Sequence, residues 1–324
     1  MVLAEVVAVD IGGTSIKASP VGPRGLPSAP VRLPTPVSGG PAAIVDAVAR
    51  VVGTLRTPGT GAVGCAVPGV VEPGTGVVRR AANLGIVDDL PLGPVLADRL
   101  GLPVTVEHDV RAACRAESEL GAARSVGDAV VVVAGTGLAA GLLVGGRVVT
   151  GTRGAAGEFG HVPVVPGGEP CACGQRGCAE AYASAGGLRR RYRDRSGPDR
   201  SGPDRSGPAS SAPRPTAAEL VSRLDDDPLA RALWAEACVA LGRALVATTA
   251  LLDPAVIVLA GGLSLAGPLL ADPVRAALAD GLAWREPPPV VLSAFGDRAG
   301  VVGAGLVARD PLRTAERRVV SRCG

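Results

Sequence analysis

Apolar runs and apolar stripes alternate along this chain, and glycine marks most of the points where they stop. Residues 2–9, VLAEVVAV, read as a buried strand that delivers Asp10 at its end. Gly12, Gly13 and Thr14 then make a tight turn into a second strand. Residues 41–56 carry apolar side chains at helical spacing, and residues 61–67 read as another strand. Two turn clusters follow in PGVVEPGTGVV from Pro68, with Asn83 in a loop beyond them. A short helix at 92–100 and a strand at 103–107 lead to His108 and Asp109, and a helix over about 110–121 comes next.

The second half repeats the design. Residues 128–141, DAVVVVAGTGLAAG, predict strand, turn and strand, with Gly135, Thr136 and Gly137 in the turn. A cysteine-rich loop ends at Glu180, which opens a helix running to about Arg193. Residues 194–215 hold three copies of DRSGP and a Ser/Ala/Pro run. With no large apolar side chain and Gly-Pro in every repeat, this stretch reads as a disordered surface insertion. Thr216 caps a helix, and a longer Ala- and Leu-rich one spans 229–252. Residues 255–260 form a strand ending at Gly261 and Gly262 ahead of another helix. A strand at 290–293, a helix at 300–309 and a charged tail complete the chain.

Composition narrows the classes. The 324 residues suit two domains, and 33 basic against 30 acidic residues give a net charge of +3. That balance does not point to nucleic acid or a membrane surface. No stretch reads as a membrane span or a secretory signal, so a cytoplasmic location is expected. Lys17 is the only lysine, and no function is drawn from it. Of seven cysteines, Cys65, Cys114, Cys238 and Cys323 read as reduced thiols, several of them buried.

The other three lie with His161 in GEFGHVPVVPGGEPCACGQRGCAE, residues 157–180. Cys171, Cys173, Cys178 and His161 supply three thiolates and one imidazole, the donor set of a closed tetrahedral zinc site. Disulfides are the alternative, and they need an oxidising compartment. Four protein donors leave no position open for substrate, so the zinc is structural. Glu158 and Glu180 bracket the loop as rigidly held acceptors suited to a polyol. The glycine turns expose backbone N–H groups that suit phosphate oxygens, and Asp10 is placed to hold magnesium or its waters. Asp109 stands where a strand meets a helix N-terminus; by position alone it reads as the helix cap. A flat base or ribose could approach the backbone at Gly261 and Gly262.

Taken together, DIGGT at Asp10, PGVVEPGTGVV at Pro68, the pair His108-Asp109, AGTGLAAG at Ala134, GEFGH at Gly157, CACGQRGCAE at Cys171 and LAGGLS at Leu259 resemble the ROK family of repressors, open reading frames and sugar kinases. The motifs occur in the family's order over nearly the whole chain outside the DRSGP insertion, and the GEFGH and cysteine motifs are the most specific. The resemblance implies an α/β, actin-like or ribonuclease-H-like sugar kinase fold with two domains around a cleft. The expected N-terminal domain covers 1–120, with a C-terminal helix at about 297–310 returning to it. Residues 121–296 form the second domain, including the zinc loop.

The resemblance also implies roles. Asp109 matches the catalytic base. Asn83, His108, Asp109, Glu158, His161 and Glu180 match the sugar-binding positions. Asp10, Gly12, Gly13, Thr14, Gly135, Thr136 and Gly137 match the phosphate side, and Gly261 and Gly262 the adenosine side. His108 stands where the family usually has asparagine. ATP, magnesium and a structural zinc are implied, with a homodimer or dimer of dimers. The expected reaction is ATP-dependent phosphorylation of a hexose, glucose first, with N-acetylmannosamine, N-acetylglucosamine or fructose as alternatives and polyphosphate as an alternative donor. A sugar-responsive regulator is the rival; it needs a helix-turn-helix ahead of the first strand, for which no room is expected before Asp10. A silent sugar binder is a third reading, against which Asp109 argues.

Overall fold

In the structure, a computed structural model that describes residues 4–22, 26–196 and 215–312, the first apolar run becomes β1 (Glu5–Ile11). Val6, Val7, Ala8, Val9 and Ile11 are all buried, which explains a continuous apolar run instead of an alternating one. β2 (Ser15–Val21) returns antiparallel beside it, and β3 (Val31–Pro34) pairs antiparallel with β2. α1 (Gly40–Leu55) turns one face of Ile44, Val45, Val48, Val51 and Val52 inward. β4 (Thr60–Val67) lies parallel to β1, and the short strands β5 (Val70–Val71) and β6 (Val78–Arg80) form their own ribbon. α2 (Leu92–Leu100) stops at Gly101, a left-handed C-cap. β7 (Val104–His108) pairs parallel with β4 and feeds α3 (Asp109–Leu120). The strand order is β3-β2-β1-β4-β7.

The pattern then recurs. β8 (Ala129–Ala134), β9 (Leu138–Val144) and β10 (Arg147–Val148) are followed by α4 (Ala179–Ala183), α5 (Ala185–Arg195), α6 (Ala217–Ser222) and α7 (Pro228–Leu252). β11 (Val256–Ala260), α8 (Pro268–Asp280), β12 (Val290–Leu292) and α9 (Ala299–Val307) finish the described chain. The second sheet runs β10-β9-β8-β11-β12. In both sheets the order is third, second, first, fourth and fifth strand, so one ribonuclease-H-like layout occurs twice. The expected α/β, actin-like fold is the one observed.

Contacts gather the chain into two compact units. One holds Met1–Val131, Ala140–Gly157 and Ser293–Gly324; the other holds Val132–Ala139 and Glu158–Leu292. In the first, α9 packs on α3, β1 and β4. The approach is too close for any side chain: a Cβ on Gly64 would fall 2.0 Å from the Ala304 carbonyl, and one on Gly303 1.9 Å from that of Ala112. Val301, Val302, Leu306 and Val307 are buried there, each contributing about 1.5–3 kcal/mol of apolar burial.

Three expectations change, and one is met and extended. The single helix from Glu180 is two, broken at Ser184, whose hydroxyl accepts the Gly187 N–H and caps α5. Asp109 is not the N-cap of α3; His108 holds that place, and Asp109 is the first helical residue. One helix, α7, does pass as a membrane span by length and composition, with a mean hydropathy of 1.5. Its apolar positions serve packing instead: Leu233, Trp234, Ala237, Leu241 and Leu245 are buried, and the helix contacts α4 and α8. Thr216 does more than cap α6, forming a reciprocal capping box with Glu219. Cys65, Cys114 and Cys238 are free and buried, and burial pushes each thiol up to about 12. Most of the DRSGP stretch (197–214), most of the tail (313–324) and Cys323 lie outside the described residues.

Candidate active site and metal-binding loop

In the first unit, β1 ends and β2 begins around residues 12–14, closed by a hydrogen bond from the Gly12 N–H to the Ser15 carbonyl at 3.0 Å. Thr35, just past β3, braces the turn, donating its hydroxyl to the Gly12 carbonyl at 2.5 Å. A Cβ on Gly13 would lie 3.0 Å from Asn83, so the loop carrying Asn83 rests on this turn. Two expected site segments, far apart in sequence, are thus neighbours. Asp10, just below the turn, lies 3.5 Å from the Lys17 Nζ. Lys17 also donates to the Asp297 carbonyl at 2.6 Å, and Arg32 bonds the Asp297 carboxylate at 2.7 Å.

Burial lifts the Asp10 carboxyl to about 6; Lys17 opposes that rise and the charge of Asp109 adds to it. Asp297 is held below the usual range: burial works against its ionisation, but the Arg32 hydrogen bond and the charges of Lys17 and Arg32 outweigh it. Asp109 follows β7 directly. Its Oδ1 accepts the Val110 N–H at 2.8 Å and lies 3.4 Å from the Nε2 of buried His108. Burial lifts its carboxyl to about 6 as well, against the Val110 N–H and the positive charges of Arg111 and Lys17. A carboxyl near 6 is ionised at neutral pH and is a stronger base than an ordinary aspartate.

In the second unit, the Gly135 N–H donates to the Gly137 carbonyl at 3.0 Å, closing the second turn. The Ala185 and Gly186 N–H groups bond the Gly135 and Thr136 carbonyls, so the start of α5 backs this turn. Gly261 is at φ 85, and a Cβ there would meet the Ala134 carbonyl at 2.5 Å. The Gly261–Gly262 bend therefore lies against the strand end that carries the Gly135 turn. The Glu180 Oε2 accepts the Leu138 N–H at 2.9 Å, and a Cβ on Gly137 would sit 2.7 Å from it. Glu180 thereby spans from the glycine turn to the cysteine loop, where its Oε1 is 4.0 Å from the Cys171 Sγ.

The loop brings its four donors together. The donor atoms of His161, Cys171, Cys173 and Cys178 all lie within 4.8 Å of one another. His161 Nδ1 is 3.7 Å from Cys171 Sγ, and Cys173 Sγ is 3.7 Å from Cys178 Sγ. Sulfurs at about 2.3 Å from one tetrahedral ion stand about 3.8 Å apart, so the spacing fits zinc. His161 turns Nδ1 to the sulfurs, which leaves Nε2 facing away, 3.7 Å from the Glu158 Oε2. Reverse turns make the knot: the Cys171 N–H bonds the Gln175 carbonyl and the Gly177 N–H the Glu169 carbonyl.

Sequence reasoning passed over Lys17, Glu107 and Arg111. The signal for Lys17 was its being the only lysine in a chain that otherwise uses arginine. Glu107 and Arg111 flank the His108-Asp109 pair and bond each other at 2.7 Å.

The chain is similar along its length to known proteins. The ROK family signature matches residues 6–310. A glucokinase of Streptomyces coelicolor is 34% identical over 94% of this chain and 98% of its own length. The crystal structure of a ROK family glucokinase from Streptomyces griseus, in complex with glucose and AMPPNP, is 31% identical with a TM-score of 0.81, over 94% of this chain and 99% of that one. A ROK hexokinase from Thermus thermophilus is also 31% identical, with a TM-score of 0.75 over 96% and 99% of the two chains. With its family signature, duplicated sheets and cysteine loop, this chain belongs to the ROK family.

Proposed function

We propose that this protein is a glucokinase that transfers the γ-phosphoryl group of ATP to the primary hydroxyl of glucose. The observation that carries the reading is Asp109: a carboxylate at the carboxyl end of a parallel strand, raised by burial to about 6, in a chain similar along its length to glucokinases. Phosphoryl transfer asks little covalent chemistry of the protein and depends on positioning and charge. Asp109 accepts the proton of the sugar hydroxyl as its oxygen attacks phosphorus. The Val110 N–H fixes the Oδ1 of that carboxylate, which keeps the basic oxygen in one orientation.

Asn83, His108, Glu158, His161 and Glu180 hold sugar hydroxyls, and a buried polar group left without its hydroxyl penalises the wrong sugar. The backbone turns at Gly12–Thr14 and Gly135–Gly137 receive phosphate oxygens, with Gly261 and Gly262 beside the nucleoside. Asp10 would hold magnesium or its waters, and the ion would supply positive charge to neutralise the phosphates. His161, Cys171, Cys173 and Cys178 hold a structural zinc that fixes the loop. His161 turns Nδ1 toward the Cys171 sulfur, so its Nε2 would remain for the sugar, coupling loop geometry to substrate position.

A coupled assay with ATP and a panel of hexoses tests this. The highest kcat/KM is expected for glucose, above N-acetylmannosamine, N-acetylglucosamine and fructose. Preference for an N-acetylated sugar would reassign the substrate, and no turnover with any sugar would leave a binding role in its place.

A further inference from the structure

Arg111 is an unexpected charge in a buried place. It lies on α3 two residues beyond Asp109, with its side chain only 3% exposed. Neighbours on the same turn, Val110, Ala112 and Ala113, are apolar and buried. A buried guanidinium gives up its hydration and needs hydrogen-bond partners in the protein to compensate. Here Nε donates to the Glu107 Oε1 at 2.7 Å, and Nη1 donates to the Gly154 carbonyl at 2.9 Å. The same Glu107 oxygen accepts the His108 N–H at 2.7 Å. The Glu107 carboxylate therefore joins the His108 backbone to the Arg111 side chain, bridging the chain on either side of Asp109.

The bond to Gly154 reaches beyond that bridge. Gly154 sits at φ 71 in a loop whose Ala156 N–H returns to the Thr150 carbonyl at 3.2 Å. A Cβ on Gly154 would lie 3.0 Å from the Val71 carbonyl, so the loop is pressed onto β5. Its far end is fixed where the Gly157 carbonyl accepts the Ala140 N–H at 2.8 Å. The next residue in the chain is Glu158.

We propose that Arg111 is a positioning residue for phosphoryl transfer, holding the base Asp109 and the loop that leads into Glu158 in a fixed relation through Glu107 and the Gly154 carbonyl. This rests on the reading of Asp109 as the base. An apolar side chain would fill the same volume but could bond neither partner. The guanidinium also favours the ionised form of Asp109. The other groups acting on that carboxylate are Lys17 on β2, Asp10 on β1 and His108 at the end of β7. Without Arg111, Lys17 remains as the nearby cation and Asp10 continues to oppose ionisation.

Arg111→Met and Arg111→Lys in the full-length protein test the proposal by two readouts: the pH profile of kcat/KM for glucose, and hydrogen exchange of the amides at 151–157. For Arg111→Met, the acid limb is expected to move up by about half a unit or more. Its kcat/KM at pH 7.5 should fall at least about tenfold, and the loop amides should exchange faster. Arg111→Lys keeps the charge, so its limb should stay near that of the parent while the loop exchanges faster. An Arg111→Met protein with an unmoved limb and unchanged exchange overturns the proposal. If that variant does not fold, Arg111→Lys decides: parental exchange in the loop overturns it, and faster exchange with an unmoved limb supports it. Should the parent protein phosphorylate no sugar, the proposed function fails, and exchange at 151–157 still decides whether Arg111 braces the loop.

Discussion

Asp109 is built to be uncomfortable when ionised. Its carboxyl is raised from 3.8 to about 6, so the folded protein binds its proton more tightly than the unfolded chain does. That contribution to stability is complete below about pH 4 and is lost as the pH rises through 6. Above that, the charged form weighs against the fold by about 1–3 kcal/mol. Asparagine cannot ionise. Asp109→Asn, free of substrates, should therefore be more stable than the parent at pH 7.5 by roughly that amount, and the gain should vanish by about pH 4. Denaturant unfolding of both proteins at the two pH values measures it; equal stability at pH 7.5 would mean the carboxylate is well solvated. Local signals placed Asp109 between a strand's end and a helix's start, where position alone favoured a helix cap; its reading as the base came from the family resemblance. Lys17 and the reach of Arg111 were not legible in the sequence, because their contacts with Asp297 and Gly154 join residues far apart in the chain; the Glu107–Arg111 pair at i,i+4 was a local signal that went unused.

Among the elements, the cysteine loop is the one proposed to rest on a bound ion, its four donor atoms lying within 4.8 Å of one another. Part of its stem is held without metal. The Arg190 guanidinium donates to the Pro170 carbonyl at 2.9 Å, Arg195 bonds Glu169 at 3.0 Å, and buried Arg191 stacks 4.6 Å from the Tyr182 ring centre. The tip, with exposed Cys173, is tied by backbone bonds from the Cys171 N–H to the Gln175 carbonyl and from the Gly174 N–H to the Cys171 carbonyl. Cys173→Ser, or removal of the metal with a chelator, should raise KM for glucose about tenfold or more, with a smaller change in kcat. Steady-state kinetics on metal-free protein check this, and parental kinetics would detach the metal from sugar binding. The four donors were readable from their spacing. The break between α4 and α5 was not: Ser184 caps α5 using the Gly187 N–H, while Gly186 and Gly187 sit where a Cβ would meet the Thr136 and Ala181 carbonyls. A run of alanines and arginines on either side carries the helical pattern straight through that point.

At the level of the whole molecule, the paired glycine turns were the visible trace of a duplicated fold, and the sheets bear it out with one strand order used twice. The return of α9 to the first unit came from the family resemblance; in the structure it shows as glycines at 64 and 303 that let the helix approach the sheet and α3. Strand pairing between residues as distant as Ile257 and Val290 is set by tertiary contacts and leaves no local mark in the sequence. On this scaffold the central claim is chemical: one carboxylate takes the proton from glucose. The most direct measurement compares the parent with Asp109→Asn in the coupled ATP assay, alongside calorimetric titration with glucose. Turnover is expected to fall by about 10²–10⁴-fold with the glucose Kd changed no more than a few-fold. Turnover retained in Asp109→Asn, with glucose still bound, would contradict the assignment.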